Sequence, residues 1–535
     1  MFLFALLLGL YSYLIFFLGL TGLLYQEIIV WMTLIFWGGI LLLYRKSFFA
    51  SLKNLKNVLH KMLKHLQHDK TMFLLLLLFV IQALVNLIGV FGPELAFDAL
   101  WYHLTLPKLY LQEHTISFLP GGLLYYSAMP KLAEMLYVAG LSFGNEITVK
   151  LIHFSFGLLT CFALYLFTRK FYSPLISLIA VVIFYSNFVV AWESITAYVD
   201  LVRAFFEIMA LWAVINWWEG DKRKWLILSA ILLGFAITTK LLAMGSILIF
   251  LLLIFLKREA VVKKFQSMFF YLSFALLIPL PWFIFTYLHT GNPVYPFFSD
   301  IYSITPEPVS LQNFLQEVWI VFTHASDRLS PLYVMLSPLL VFCFGKMKRE
   351  IKIIAMYSLC AIIVWYFTPR TGGGRFILPY LPAFSLLCVF ILDYFMSNTK
   401  KYGKFFSNFL IGVIIFVSLF TICYRFAANM KYISVIIGKE SKEAFLTRQL
   451  NFAFADFYDT DGYFKKHLTS KDRVLLYGFH NLYYVDFPFV DASWRRKEDI
   501  FNYIATQKAD LPKEYADWRL IYHNERTMVK LYKKK

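Results

Sequence analysis

The chain has 535 residues, of which 60% are hydrophobic and only 16% charged, with a net charge of +18. A typical soluble domain is about 45–50% apolar and about 25% charged, so this composition excludes a soluble globular protein and indicates a polytopic membrane protein. The excess lysine and arginine falls in short patches between apolar runs. It forms no basic and aromatic stripe, which argues against a nucleic-acid partner.

Apolar runs recur through residues 1–427. They predict about 13 spans, centred near residues 12, 36, 81, 158, 182, 209, 232, 249, 277, 338, 359, 385 and 413. The first run, MFLFALLLGLYSYLIFFLGL, lacks a basic leader and a small-residue cleavage site, so it reads as a span rather than a removed signal. The loop after the second run carries Arg45, Lys46, Lys53, Lys56, Lys61, Lys64 and Lys70. Alternate loops from there are also basic, at Arg169/Lys170, Lys222/Arg223/Lys224, Lys257/Arg258/Lys263/Lys264, Lys346/Lys348/Arg349/Lys352 and Lys400/Lys401/Lys404. The positive-inside rule puts these in the cytoplasm. Residues 91–145, 192–200, 238–240, 287–329 and 368–375 then share the outer side. Cys161, Cys343, Cys360, Cys388 and Cys423 all lie in apolar runs and read as buried hydrophobes.

The first outer loop opens FGPELAFDALWYHLTLPKLYLQEHTISFLP, residues 91–120. Its apolar spacing predicts an interfacial helix over 99–114, kinked at Pro107, then a turn at Pro120-Gly121-Gly122 and a second interfacial helix over 127–140. The composition turns polar after the last span. Residues 428–535 predict a small α/β domain: helix 441–468, strands 474–478 and 483–490, helix 497–506, and closing strands 519–523 and 528–532. The parity of the spans puts this domain outside the cytoplasm. The chain thus divides into a membrane domain, 1–427, whose first outer loop is 91–146, and an extracytoplasmic domain, 428–535.

Ionisable groups at a membrane face are costly and default to functional candidates. Asp98 is the first. It suits a general base that takes a proton from an acceptor hydroxyl, and it also suits a helix N-cap. Tyr102 lies four residues on, on roughly the same helical face, with His103 beside it. Glu94 lies one turn earlier. Asp200, in ESITAYVDLVRAFFE, heads a stripe with Arg203 and Glu207. It either pairs with Arg203 or serves as a second carboxylate that orients substrate or a metal. Lys240, Arg370 and Arg375 are the outer-side cations. Arg375 follows three glycines in PRTGGGRFILPYLP, which would let the backbone approach a ligand while arginine grips phosphate. His289 and Tyr295, in HTGNPVYPFF, belong to a Pro-containing turn expected to line the same cavity.

The segments FDALWYHL, YVDLVRAFF, GFAITTK, TGNPVYPFF and RFILPYLPA occur in this order, and all are predicted on one membrane side. In them the chain resembles the polyprenyl-phosphate-sugar-dependent glycosyltransferases of the GT-C fold. That group includes protein O-mannosyltransferases and lipid A aminoarabinose transferases. The resemblance covers most of the membrane region, and residues 438–489 look like the tail of some bacterial members. It implies a GT-C-like domain with Asp98 as catalytic base, Asp200 as a second acidic residue, and Arg375 and Lys240 on a lipid phosphate. Many O-mannosyltransferases carry Asp-Glu at the first site, whereas Ala99 follows Asp98 here, which bears on the acceptor rather than the reaction type.

The implied function is an inverting glycosyltransferase of a bacterial cytoplasmic membrane, with its site on the outer face. A polyprenyl-phosphate-linked sugar would be the donor, and a glycan, lipid or protein hydroxyl the acceptor. No cofactor is required, and a metal is not expected, although Asp98 and Asp200 together could hold one. The competing readings are a polytopic transporter or lipid flippase, and a metal-dependent ligase or oligosaccharyltransferase that uses a pyrophosphate donor.

Overall fold

The computed structural model describes residues 1–46, 69–301, 309–325, 327–368, 373–397, 401–450 and 456–535. Lys53, Lys56, Lys61, Lys64, Arg370 and Lys400 lie outside the described residues. The membrane part is a bundle of helices, and the chain ends in a small sheet.

Eight described helices are long and apolar enough to cross a membrane, or nine if the bent pair Val261–Leu277 and Leu280–Thr290 is one span. Their positions match nine of the expected centres. The other four, near 182, 232, 249 and 338, fall in the shorter helices Pro174–Tyr185, Arg223–Thr239, Leu241–Phe255 and Pro331–Lys346. Length and composition therefore do not reproduce a count of about 13. Pro174–Tyr185 shows why: its residues from Ile176 to Tyr185 are all buried. A helix shielded by protein need not match the bilayer with its own apolar length.

Polar caps start several of these helices. Asp69 accepts from the Met72 N–H, Asn145 from Ile147, and Ser173 from Ile176 ahead of Pro174. The helix Asp200–Gly220 is the axis of the bundle. Of its most apolar stretch 89% is buried, against 6% for the peripheral Gln26–Leu43. Burial on every side leaves its few polar residues no water, so each must find a partner inside.

The first outer loop departs from the predicted pair of helices. A π-helical turn, Ala99–His103, comes first, then the α-helix Thr105–Glu113, which ends at His114 in the left-handed conformation (φ 56°). Pro107 lies in the first turn of that helix, where its missing N–H is not needed. The irregularity therefore precedes the proline. The second helix is Leu132–Phe143, preceded by the 3-10 turn Tyr125–Ala128. It starts later than 127 because Pro130 forces Met129 into an extended conformation (φ −73°, ψ 155°).

The terminal sheet has five strands: β1 Val474–Tyr477, β2 Phe489–Asp491, β3 Tyr503–Gln507, β4 Arg519–Asn524 and β5 Val529–Lys533. Their order is β2-β1-β3-β5-β4, with β1 parallel to β2 and β3, and β5 antiparallel to β3 and β4. The predicted helix 497–506 does not form: 497–502 is turn and loop, and the rest belongs to β3. All five residues of that strand are buried in the sheet centre, so tertiary packing overrides local pattern. The predicted helix 441–468 is split into Lys442–Gln449 and Tyr463–His467. Asp459 accepts the N–H groups of Phe464 and Lys465 and so starts the second piece.

The predicted strand 483–490 shortens to β2 because Tyr483, Tyr484 and Val485 dock onto the membrane part. Lys108 Nζ donates to the Tyr483 and Val485 carbonyls at 2.7 and 2.5 Å. Glu146 takes Lys442 at 2.6 Å and the Tyr483 hydroxyl at 3.2 Å. The Tyr484 hydroxyl donates to the Glu94 carbonyl at 2.9 Å. Burial lowers the Lys108 ammonium to about 8.

Candidate active site

Asp98 has helical dihedrals (φ −64°, ψ −30°) and its carboxylate caps no backbone N–H. It reaches across to Arg375 instead, with Nη1 to Oδ2 at 2.7 Å. Arg375 is itself held in place. Its N–H donates to Asp327 Oδ2 at 2.8 Å, and the Gly374 N–H donates to the Asp327 carbonyl at 3.0 Å. Gly373 has φ +89°, and a Cβ there would stand 2.2 Å from Asp327 Oδ1. The described glycines thus admit a carboxylate of the same chain. The guanidinium lies over the Tyr198 and Phe376 rings, 5.1 and 5.0 Å from their centroids.

A second acid–cation pair lies nearby. Lys240 follows the end of the helix Arg223–Thr239, and its Nζ meets Asp200 Oδ1 at 2.6 Å. Asp200 therefore pairs with Lys240 and not with Arg203. Arg203 donates to the Tyr380 hydroxyl at 2.8 Å and lies 4.0 Å from Glu207, which accepts from the Tyr357 hydroxyl at 2.9 Å. The predicted stripe of three charges is divided between two separate networks.

Arg375 and Lys240 both line a cavity of about 290 Å³, together with Tyr102, His103, Lys131 and Glu134. His103 Nδ1 is 2.8 Å from Glu134 Oε1, and Tyr102 stacks on Tyr126 with centroids 4.0 Å apart. Lys131 Nζ donates to the carbonyls of Tyr126 and Met129. Burial pulls the Lys131 ammonium down to about 8. An aromatic-walled cavity lined by three cations and Glu134, with Asp98 and Asp200 paired to two of those cations, can hold a phosphate and orient a polyol.

The other predicted residues are placed differently. Glu94 is 2% exposed, and both carboxylate oxygens take backbone N–H groups: Leu95 and Ala96 at 2.8 Å, Ala197 at 2.6 Å. It fastens the first outer loop to the loop before Asp200. His289 Nδ1 bonds the Phe285 carbonyl at 2.8 Å, and its ring lies against Phe118 and Phe285. Tyr295 is buried with Tyr125, while its neighbours Pro296 and Phe297 line the cavity. Sequence reasoning missed Lys131, Glu134, Tyr198 and Asp327. Lys131 and Glu134 do carry a signal, two charges inside the apolar stretch MPKLAEM. Among the described residues, no three His, Cys, Asp or Glu side chains gather as a metal site.

The family model for dolichyl-phosphate-mannose-protein mannosyltransferase matches residues 135–285. That segment contains Asp200 and Lys240; Asp98 and Arg375 lie outside it. No curated protein matches the chain. Among solved structures, the fold is similar to ArnT from Cupriavidus metallidurans bound to undecaprenyl phosphate. The TM-score is 0.53 at 12% identity, over 85% of this chain and 97% of that one. The same protein in its apo state gives 0.55 at 11% identity, over 85% and 97%. At these identities the likeness is one of fold. The chain is a multi-pass membrane protein of the GT-C fold, and its residues 135–285 are similar to the dolichyl-phosphate-mannose-protein mannosyltransferase family model.

Proposed function

We propose that the chain is an inverting glycosyltransferase that moves a sugar from a polyprenyl-phosphate donor to an acceptor hydroxyl. One observation carries this reading: two acid–cation pairs, Asp98–Arg375 and Asp200–Lys240, whose cations line one aromatic cavity. The family description and the fold shared with an undecaprenyl-phosphate-bound protein support a lipid phosphate as the donor's anchor.

The donor phosphate enters beside Arg375 and Lys240. A phosphate accepts forked bonds from a guanidinium as well as a carboxylate does, so it shares or takes the arginine from Asp98. The freed carboxylate accepts the proton of the acceptor hydroxyl. The acceptor oxygen attacks the anomeric carbon from the face opposite the phosphate. The carbon–oxygen bond to phosphate breaks, its electron pair leaves on the lipid phosphate, and the anomeric centre inverts. A phosphate leaves without being protonated, so this reaction needs no second carboxyl as acid, unlike glycoside hydrolysis. Arg375 and Lys240 stand where the leaving charge develops. Tyr102, His103 and Glu134 line the space for the sugar ring. The proposed location is the cytoplasmic membrane, with the site and the terminal domain on its outer side and a glycan, lipid or protein as acceptor.

The test incubates the purified chain with radiolabelled polyprenyl-phosphate sugars and membrane extract. The expected result is label moved to an acceptor with inverted configuration, at a rate lowered by about 10²–10⁴-fold in Asp98→Asn. Transfer with retained configuration would overturn the proposal.

A further inference from the structure

We infer that a second cavity, beside Arg425, binds the phosphate group of a membrane lipid. The inference does not depend on the glycosyltransferase reading. Arg425 lies on the helical run Gly403–Ile436, 34 residues long. At about 1.5 Å per residue that run spans about 51 Å, well beyond the roughly 30 Å of a hydrocarbon core. Counted from the basic end at Lys404, about 20 residues cross the core. Arg425 then stands at the level of the far lipid head groups.

Arg425 is only 4% exposed. Its Nη2 donates to Asn429 Oδ1 at 2.8 Å, and Asn429 spends its own N–H on the Val85 carbonyl. Its Nε has no hydrogen-bond partner, and no ion pair joins Arg425 to a carboxylate among the described residues. A buried guanidinium held only by a neutral amide lacks its counter-charge.

It lines a cavity of about 420 Å³ that it shares with Arg328. On the same helix Phe420 and Tyr424 line that cavity and are 53% and 56% exposed, so the space opens toward lipid. Asp327 is also on the wall, and its carboxylate accepts the Arg375 N–H and lies against Gly373. Two arginines, an aromatic rim at head-group depth and an open lipid side together fit a phosphate carried on an acyl or prenyl tail.

The test uses the full chain in detergent. It is offered phosphatidylglycerol or a polyprenyl monophosphate, beside diacylglycerol or polyprenol, which lack the phosphate. Bound lipid is counted by native mass spectrometry and read again as a thermal shift. The expected result is one additional phosphate lipid on the wild type, weakened about tenfold in Arg425→Gln and largely kept in Arg425→Lys. Retention of phosphatidylglycerol alone assigns a bilayer head group, and of polyprenyl phosphate alone a lipid carrier; both support the site. Binding at the Arg375 cavity is common to wild type and variant and cancels. Equal retention by wild type and Arg425→Gln, or equal retention of the phosphate-free lipids, overturns the inference. Should Arg425→Gln not fold, the exposed Arg328→Gln decides: about threefold weaker binding supports the site and unchanged binding overturns it.

Discussion

Asp98 Oδ2 and Arg375 Nη1 lie 2.7 Å apart, brought together from the first outer loop and from the turn before the helix Leu381–Ser397. In the proposed reaction the carboxylate that acts as base is held by the cation that receives the donor. The two proposed roles would then be coupled, since a phosphate on Arg375 would compete with Asp98 for the same guanidinium.

Asp98→Asn should lower turnover by about 10²–10⁴-fold while leaving donor affinity unchanged or tighter. The amide removes the negative competitor for Arg375 without emptying the space. Transfer rates and donor KM measured together check this, and a near wild-type rate would sink the base assignment.

Arg375→Ala should act on the donor instead. Loss of a charge-assisted bond to phosphate corresponds to about 1.5–3 kcal/mol, or about 10- to 100-fold in donor affinity. Arg375→Lys should recover part of it, since the charge returns without the fork. Donor binding titrated by thermal shift distinguishes these outcomes, and an unchanged affinity in Arg375→Ala would count against the phosphate role.

Asp200 and Lys240 test the second pair. Asp200 is 1% exposed, so Lys240→Met leaves a buried carboxylate without its cation. Breaking such a pair from one side costs about 3–5 kcal/mol. The double variant Asp200→Asn, Lys240→Met should recover much of that loss, because neither charge remains. Thermal unfolding in detergent reads both, and additive losses in the double variant would show that the two side chains are not energetically coupled.

Asp491, at the end of β2, offers a pH test within the terminal domain. Burial raises its carboxyl to about 6, although the Ser493 N–H bonds it at 2.9 Å. A folded-state value above the unfolded one means stability that is present below about pH 4 and lost as pH rises through about 6. Asp491→Asn should then be more stable than wild type by about 3 kcal/mol at pH 7.5, and close to it at pH 4. Unfolding curves at the two pH values check this. Equal stability at pH 7.5 would mean that the carboxyl is solvated after all.

The predicted candidate residues lie where charge is costly, and this is why they were legible. A few ionisable groups in a chain that is 60% hydrophobic stand out one by one, as Asp98, Asp200, Lys240 and Arg375 did. Lys131 and Glu134 do not stand out in the sequence because the stretch around them reads as an interfacial helix. The β3 strand is not legible because local pattern does not contain the neighbouring strands that bury it.

The amino-acid order alone determined that this is a polytopic helical membrane protein, where its helices are centred, and which charges are exceptional. Apolar length and local periodicity are properties of single segments, and a bilayer reads them directly. Only the tertiary structure decided the partners: Asp98 with Arg375 rather than its own helix, Asp200 with Lys240 rather than Arg203, and Glu94 with a loop backbone rather than the cavity. An ion pair acts over a few ångströms of space, whatever length of chain lies between its ends, so no local pattern encodes it.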